Sequence, residues 1–580
     1  MEKQQLNEID FVADQQQQYV APATRSWKKI GFLVVSALTV GTLVCKSGVS
    51  TKCMNHMYGS AHSATGDSLC PSQAKLVPEG FTNLDFILKD EKYHDKALKT
   101  FQGAIQIPTE SYDDMGPVGE EPRFDIFKNF SSYLEKSFPK VHSELEVEHV
   151  NTYGLVYTWK GSNKDLKPQL LMAHQDVVPV NSDTEEKWTH PPFSGYFDGK
   201  YIWGRGTVDT KNTVVGSLAA VELLLKEGYT PERTHILGFG FDEEISGPQG
   251  AKFISEHLYN KYGEKSLFAI LDEGSGILET ENFAMIVAAT GEKGYLDVSI
   301  SVNVAGGHSS MPPKHTGIGL AALIVAEIEK TPYKPLLTQQ NPFFYTLQCV
   351  ADHDPSLSDA LKTLIRKSGN DLIANKKLVS ILSGNPKYRD LIRTTQAVDI
   401  INGGVKSNAL PETTTFVVNQ RIEIESDVST AQDKIVQNVL TIAKEHDLSV
   451  SAFGDFIIEG KSGEVVVELF GLPLEVAPQA PVSGPTWDLI VGTALHVFKD
   501  TVYPEDFNLF AAPGIMTGNT DTRHYWALTD AIYRFNPVRE SAAFGIHTVN
   551  EHLEFQSHLE TIAYYYEFVK NGEHFSKKQE

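Results

Sequence analysis

Two adjacent acids, Glu243 and Glu244, stand in the run Phe241-Asp242-Glu243-Glu244-Ile245-Ser246-Gly247. Upstream lie His174-Gln175-Asp176 and Asp209; downstream lie Asp272 and, far along the chain, His547. Histidine and carboxylate side chains scattered in this way suit a hydrolytic zinc site. A spare Glu beside a ligand Glu supplies the base that metal-assisted hydrolysis needs: one acid ligates, while the other takes a proton from water and returns it to the leaving amine. Singly, each motif has a plainer reading. His174 with Asp176 could be a surface histidine beside an acid, Asp209 could cap the helix that follows it, and paired acids are common on solvated turns. As a functional pair, Asp176 could instead orient His174 through its second ring nitrogen. The two oxygens of Asp209 could bridge two metals.

Three apolar runs deliver these residues. Gln169-Leu170-Leu171-Met172-Ala173 ends at His174, His235–Phe241 runs into the paired acids, and Phe268-Ala269-Ile270-Leu271 runs into Asp272. Each reads as a buried strand, and in an open α/β sheet active sites collect at the carboxyl ends of strands. Thr213–Glu227 has helical spacing and stops at Gly228. The fold expected is α/β, a mixed sheet with helices on both faces.

Near residue 292 the pattern changes. Tyr295–Val302 alternates like a strand with one wet face, and a helix (Ile318–Lys330), two strands (Thr394–Ile401 and Thr413–Ile422), a helix (Ser429–His446) and a short strand (Leu448–Phe453) follow. That order is β-α-β-β-α-β, a ferredoxin-like unit. The division expected is therefore a catalytic domain over 85–291, a ferredoxin-like lid over 292–456 with an insertion at about 335–390, and the rest of the catalytic domain over 457–580.

The N-terminus bears on compartment. Residues 1–29 read as a cytosolic tail and 46–84 as a stalk. Ile30–Cys45 is uncharged, with Lys28, Lys29 and Lys46 flanking it. It is slightly short against the roughly 17–25 residues of a span, a deficit that flanking lysines can absorb. A transmembrane signal anchor is the expectation, with a cleaved signal peptide the competitor. Arg25, Lys28 and Lys29 favour a cytosolic N-terminus and a lumenal bulk. Of four cysteines, Cys53 and Cys70 could pair in an oxidising compartment, and Asn129-Phe130-Ser131 is a glycosylation sequon. A formal net charge of −23, with no basic stripe, argues against nucleic-acid partners.

From about residue 85 to 570 the chain resembles the M20 family of zinc peptidases. The resemblance rests on the motifs HQDVVPV, WGRGTVDTKN, FDEEISG, LDEG, GGHSSMPP, GGVKSNALPETT, GNTDTRHYW and IHTVNEHL. Within the family it is most similar to the anchored fungal vacuolar carboxypeptidases. The resemblance implies two Zn(2+) per subunit, with His174 and Asp272 on one, Glu244 and His547 on the other, and Asp209 bridging. Some relatives carry Glu where Asp272 stands, and Glu273 lies next door. It implies Glu243 as general base, Asp176 as the acid tuning His174, and His308 as oxyanion stabiliser. Asn408 and Arg421 would hold the substrate and Arg523 its C-terminal carboxylate. Thr210, Asn212 and Asn419 depart from the residues the family usually has there, and Asp209–Thr210 is expected to be a cis peptide.

The activity implied is removal of a C-terminal residue from short peptides, with Gly preferred at the penultimate position, in the vacuolar lumen. Anchoring through one N-terminal helix and a homodimer through the lid are the partners implied. Hydrolysis or synthesis of N-acyl amino acids is the alternative within the family; an inactive membrane-tethered binding protein is the alternative outside enzymes.

Overall fold

The computed structural model describes residues 69–575. The expected tail, the Ile30–Cys45 span, most of the stalk and Cys53 lie outside the described residues. No helix among the described residues is long and apolar enough to cross a membrane.

The core of the molecule is an eight-stranded mixed sheet. Its strands are β1 (Glu146–Val150), β2 (Gly154–Trp159), β3 (Gln169–His174), β6 (His235–Gly240), β7 (Ile270–Glu279), β8 (Phe283–Glu292), β17 (Asn508–Met516) and β18 (Ile532–Arg539), in the order β1-β2-β6-β3-β7-β18-β8-β17. β3 runs parallel to both β6 and β7. Every residue of β2, β3 and β6 is buried, which is why these segments read as unbroken apolar runs rather than alternating ones. Leu171, Ala173, Leu237 and Phe239 pack with the helices Lys211–Lys226 and Phe555–Asn571. Leu170, Met172 and Ile236 pack on the other side with the helix Ala251–Tyr262. Each such Leu or Ile contributes about 1.5–3 kcal/mol on burial, enough to hold a strand that must also end in a buried histidine.

β7 does not stop at the acids. It continues to Glu279 and turns into β8, with Ile277 opposite Ile286. Asp272 and Glu273 therefore sit inside a strand and present opposite faces.

The second unit is a six-stranded sheet of β9 (Gly294–Asn303), β11 (Thr395–Gly403), β13 (Thr413–Ile422), β14 (Ser449–Ala452), β15 (Asp455–Ile458) and β16 (Glu464–Leu469), ordered β11-β13-β9-β16-β14-β15. The helices Gly317–Lys330 and Val428–Glu445 cover one face, and Ile300, Val302, Ile324, Phe416, Val418, Ile435 and Val439 fill the core between. The strand beside β9 is β16, not the expected Leu448–Phe453. Val465 and Val467 alternate inward along β16 and pair antiparallel with β9, while β14 lies beyond it, parallel to it. The chain returns to the large sheet only after Leu469, so the boundary expected at 457 falls too early. A two-stranded ribbon, β10 (Gly307–His308) with β12 (Ala409–Leu410), joins two loops of this unit.

The 335–390 insertion is four helices, Pro342–His353, Asp359–Lys367, Leu372–Leu382 and Pro386–Leu391. Asn341, Ser358, Asp371 and Asn385 cap their N-termini through side-chain oxygens, two of them followed by Pro at the first helical position. The first helix packs Phe344, Leu347 and Val350 against Met285 and Val287 of β8 and Phe510 and Ala512 of β17. The insertion thus thickens the edge of the large sheet.

The last stretch expected as stalk is part of the domain. Leu76 N donates to Gly492 O at 2.9 Å. The Gln73 amide brackets Ala511 on the edge strand β17, donating to its O at 2.9 Å and accepting from its N at 2.6 Å. Cys70 forms a disulfide with Cys349 of the insertion, and not with Cys53, the partner the sequence left open. Pairing of cysteines is not readable from spacing, and this bond spans 279 residues.

Closing so long a loop constrains the unfolded chain, an effect on the order of 2–5 kcal/mol. A Cys70→Ala/Cys349→Ala variant is expected to melt at a clearly lower temperature than wild type under non-reducing conditions. An unchanged melting temperature in differential scanning calorimetry would contradict a stabilising role.

Candidate active site

His174 ends β3, and Gln175 N donates to Gly240 O at 2.9 Å, which sets the end of β3 beside the Glu243–Glu244 turn after β6. His174 Nε2 lies 3.1 Å from Asp209 Oδ1 and 3.4 Å from Glu273 Oε1. Its Nδ1 faces Asp176, 2.9 Å from the backbone O and 3.3 Å from Oδ1. His547 arrives from the other end of the chain, just after the small sheet β19-β20-β5-β4 begins with β19 (Ala543–Phe544); the other members are β20 (His552–Glu554), β5 (Tyr201–Trp203) and β4 (Tyr196–Phe197). Its Nε2 is 2.8 Å from Asp209 Oδ2 and 3.1 Å from Glu244 Oε2. Asp209 therefore offers one oxygen to each histidine. The Asp209–Thr210 peptide is cis.

Among the described residues, two groups have ligand atoms within 4.8 Å of one another: His174, Glu243 and Glu273, and His174, Asp209 and Glu244. Glu273, not Asp272, takes part. Asp272 lies in register with Arg534 of β18, and its Oδ2 finds no hydrogen-bond partner among the described residues. The alternation of β7 explains the exchange, since moving one residue along a strand changes the face.

The electrostatics call for a cation. Burial, then Glu273, Asp521 and Glu244, push the Glu243 carboxyl well above the usual range. Burial, then Asp209 and Asp272, hold Glu273 at about 8 against the pull of His174. Burial opposes charge on His547, yet Asp209 and Glu244 raise it to about 12. Two carboxylates 4 Å apart repel by about 4 kcal/mol at an effective dielectric of 20, so this many acids ionise together only around positive charge. Glu244 Oε1 is buried with no hydrogen-bond partner among the described residues. Mixed imidazole and carboxylate donors, with a buried oxygen unsatisfied, fit a divalent metal ion.

Two acids hold this cluster in shape. Asp176 is wholly buried: it accepts from Glu243 N and Glu244 N, each at 3.1 Å, and from Ser111 Oγ at 2.7 Å. It thus fixes the paired acids as well as His174. Glu551, also wholly buried, accepts at Oε1 from Val208 N (2.8 Å), Gly206 N (3.0 Å) and Asp209 N (3.3 Å). Its Oε2 accepts from Arg205 Nη1 at 2.7 Å. Because Glu551 follows His547 by four residues, it locks the two loops that supply Asp209 and His547. Ser111 and Glu551 carried no role in the sequence reading. The approach of Glu551 in the His547-Thr548-Val549-Asn550-Glu551 run was the one available signal. Asn212 has a structural partner: its Oδ1 lies 2.6 Å from His558 Nδ1, and its Nδ2 donates to Thr561 Oγ1 at 3.1 Å.

The remaining expected residues lie outside the metal-type groups. His308 is exposed on β10, 2.7 Å from Ser310 Oγ through Nδ1. Asn408, exposed nearby, accepts from Ser309 N through its backbone O at 3.3 Å. Arg421, on β13, donates from Nη1 to Asn519 Oδ1 at 2.9 Å, and Arg523 donates from Nε to Thr520 O at 3.3 Å. Asp521 is buried below the paired acids, in a space left by Gly240 and Gly247, where a Cβ would meet its carboxyl oxygens at 2.7 and 2.2 Å.

Glu551→Gln keeps the shape but turns one acceptor oxygen into a donor beside backbone N–H groups or Arg205. The expected result is a lower metal affinity by about 10–100-fold, the usual effect of disturbing groups that hold metal ligands. Competition with a fluorescent zinc chelator measures it; wild-type affinity would contradict the role.

Comparison with known proteins identifies the family. Residues 170–571 match the family described as Peptidase family M20/M25/M40. Carboxypeptidase S of Saccharomyces cerevisiae is 39% identical over 554 residues, covering 93% of this chain and 95% of that protein. The N-fatty-acyl-amino acid synthase/hydrolase PM20D1 of Xenopus tropicalis is 33% identical over 83% of this chain and 87% of its own. Among solved structures, the M20 family metallo-carboxypeptidase Sso-CP2 from Sulfolobus solfataricus aligns with a TM-score of 0.55 at 17% identity, over 82% of this chain and 99% of that one. Human carnosine dipeptidase 1 aligns with a TM-score of 0.53 at 13% identity, over 86% and 100%. At such identities the solved structures speak for the mixed α/β fold alone. Family match, full-length relatives and the clustered histidines and acids agree: the chain is a hydrolase and belongs to peptidase family M20/M25/M40.

Proposed function

We propose that this chain is a zinc metallocarboxypeptidase that removes the C-terminal residue of short peptides, with Gly preferred at the penultimate position. The observation that carries the reading is the Asp209 carboxylate, with one oxygen against His174 and the other against His547. His174 and Glu273 would hold one ion, Glu244 and His547 a second, and Asp209 both. Bound there, two zinc ions would supply Lewis acidity to the scissile carbonyl and lower the pKa of a water.

The chain's own residues do the rest. Glu243 lies beside His174 and Glu273, where its carboxylate can accept a proton from water and donate it to the departing amine nitrogen. Asp176 fixes His174 and the Glu243 backbone, so the base keeps its place as it changes charge. Arg523 would grip the substrate C-terminal carboxylate through the planar fork of its guanidinium, and Arg421 and Asn408 would hold the rest of the substrate. His308 would donate to the developing oxyanion once the small domain, or a second copy of the chain, brings it near.

A second reading, hydrolysis or synthesis of N-acyl amino acids, is favoured by the similarity to PM20D1. Its scissile bond is also an amide next to a free carboxylate. For location, the Cys70–Cys349 disulfide and the exposed sequon residue Asn129 support a lumenal, oxidising compartment such as the vacuole.

Purified protein is expected to cleave an N-blocked Gly-Leu dipeptide, to lose that activity on chelation and to regain it with zinc. Full activity after complete metal removal would overturn the reading. Faster turnover of a fatty-acyl amino acid would select the second. Glu243→Gln should keep wild-type zinc content while kcat falls by about 10²–10⁴-fold; near-normal kcat would refute the base.

A further inference from the structure

Strands β9 and β13 place four polar residues on one face of the small sheet. In their antiparallel register Tyr295 stands opposite Arg421, and Asp297 stands opposite Asn419. Residues two apart on a strand share a face, and all four are half-buried. Their side chains form one connected set. Tyr295 Oη donates to Asp297 Oδ2 at 2.5 Å, and Asn419 Nδ2 donates to Asp297 Oδ1 at 2.7 Å. The Arg421 guanidinium lies over the Tyr295 ring, 4.8 Å from its centroid.

The set is also tied to the large domain. Arg421 Nη1 donates to Asn519 Oδ1 at 2.9 Å, and Asn519 Nδ2 donates to the backbone O of Lys293, the single residue between β8 and β9, at 2.7 Å. Burial and the Asp297 carboxylate push the Tyr295 hydroxyl up to about 12, while both Arg421 and Arg523 pull it down. The two guanidiniums, one from each domain, therefore lie within electrostatic reach of the same ring.

We propose that the Asp297–Asn419 pair is a positioning device for Arg421, which it serves by holding the Tyr295 ring under the guanidinium. This rests on reading Arg421 as a residue that holds the substrate. Asp297 uses one oxygen to fix the tyrosine hydroxyl and the other to occupy Asn419, so the carboxylate itself is spent and does not draw Arg421 away. With an acid at 297, an amide is what position 419 requires. A carboxylate there would face Asp297 directly, and like charges opposite each other across a strand pair are unfavourable.

The pair can be exchanged without changing its hydrogen bonds. In Asn419→Asp/Asp297→Asn, the amide at 297 accepts from the Tyr295 hydroxyl through its oxygen and donates to the acid at 419 through its nitrogen. With the blocked Gly-Leu dipeptide, Asn419→Asp is expected to raise KM by about tenfold or more while kcat stays within about threefold of wild type. The double variant is expected to return KM to within about threefold of wild type. A wild-type KM in Asn419→Asp, or a double variant as impaired as the single one, would overturn the proposal.

A melting-temperature cycle over the same variants reads the pair without turnover. A loss in Asn419→Asp that the second substitution recovers supports the coupling, and additive losses overturn it. Should wild-type protein cleave no peptide, the carboxypeptidase reading falls, and the melting cycle still decides whether 297 and 419 act as a pair.

Discussion

The carboxylate of Asp209 touches two histidines that are 373 residues apart in the chain, His174 through one oxygen and His547 through the other. Everything else at the site is arranged around that sharing. Glu273 and Glu243 gather on the His174 side and Glu244 on the His547 side. Buried acids at such spacing repel by several kcal/mol in any medium less polar than water, so they ionise together only with positive charge among the oxygens. The histidines draw that charge as protons, their affinity raised by the same acids. Divalent ions on the same atoms would serve the purpose better and would bring hydrolytic chemistry with them.

Such a cluster needs a rigid frame, and here the frame is largely backbone. β3 and β6 run parallel with every residue buried, so the ends that carry His174 and the paired acids cannot drift. Asp176 reaches across to the amides of Glu243 and Glu244, and Glu551 reaches across to the amides of Gly206, Val208 and Asp209. Charge-assisted bonds of this kind are about twice as strong as neutral ones. Each joins a strand end or loop from one part of the chain to a histidine or acid of the cluster from another. The small domain has a different relation to the site. It is linked through Lys293, Asn519 and Arg421, and it carries His308 on an exposed ribbon.

Much of this was legible in the sequence. Fully buried strands announce themselves as apolar runs, and the residues at their ends, His174 and Glu243–Glu244, could be located from that alone. The helix after Asp209 and the helices of the small domain followed from periodicity. What stayed hidden has physical reasons. Choosing Asp272 over Glu273 required knowing the phase of β7, and one residue of phase reverses the face. The role of Glu551 depends on backbone amides more than 340 residues away in sequence, which no local pattern encodes. The Cys70–Cys349 bond joins segments that only the finished fold brings together. β16 adds to a strand count that β14 already completes, although Glu464–Leu469 carries the alternation of a half-buried strand.

We propose that Asp209 is shared by two metal sites. Metal content by inductively coupled plasma mass spectrometry, on wild type and Asp209→Ala loaded with zinc and then desalted, tests it most directly. Two ions per chain are expected in wild type and loss of both in the variant, with the fold intact by circular dichroism. A folded variant that still holds two ions would contradict it.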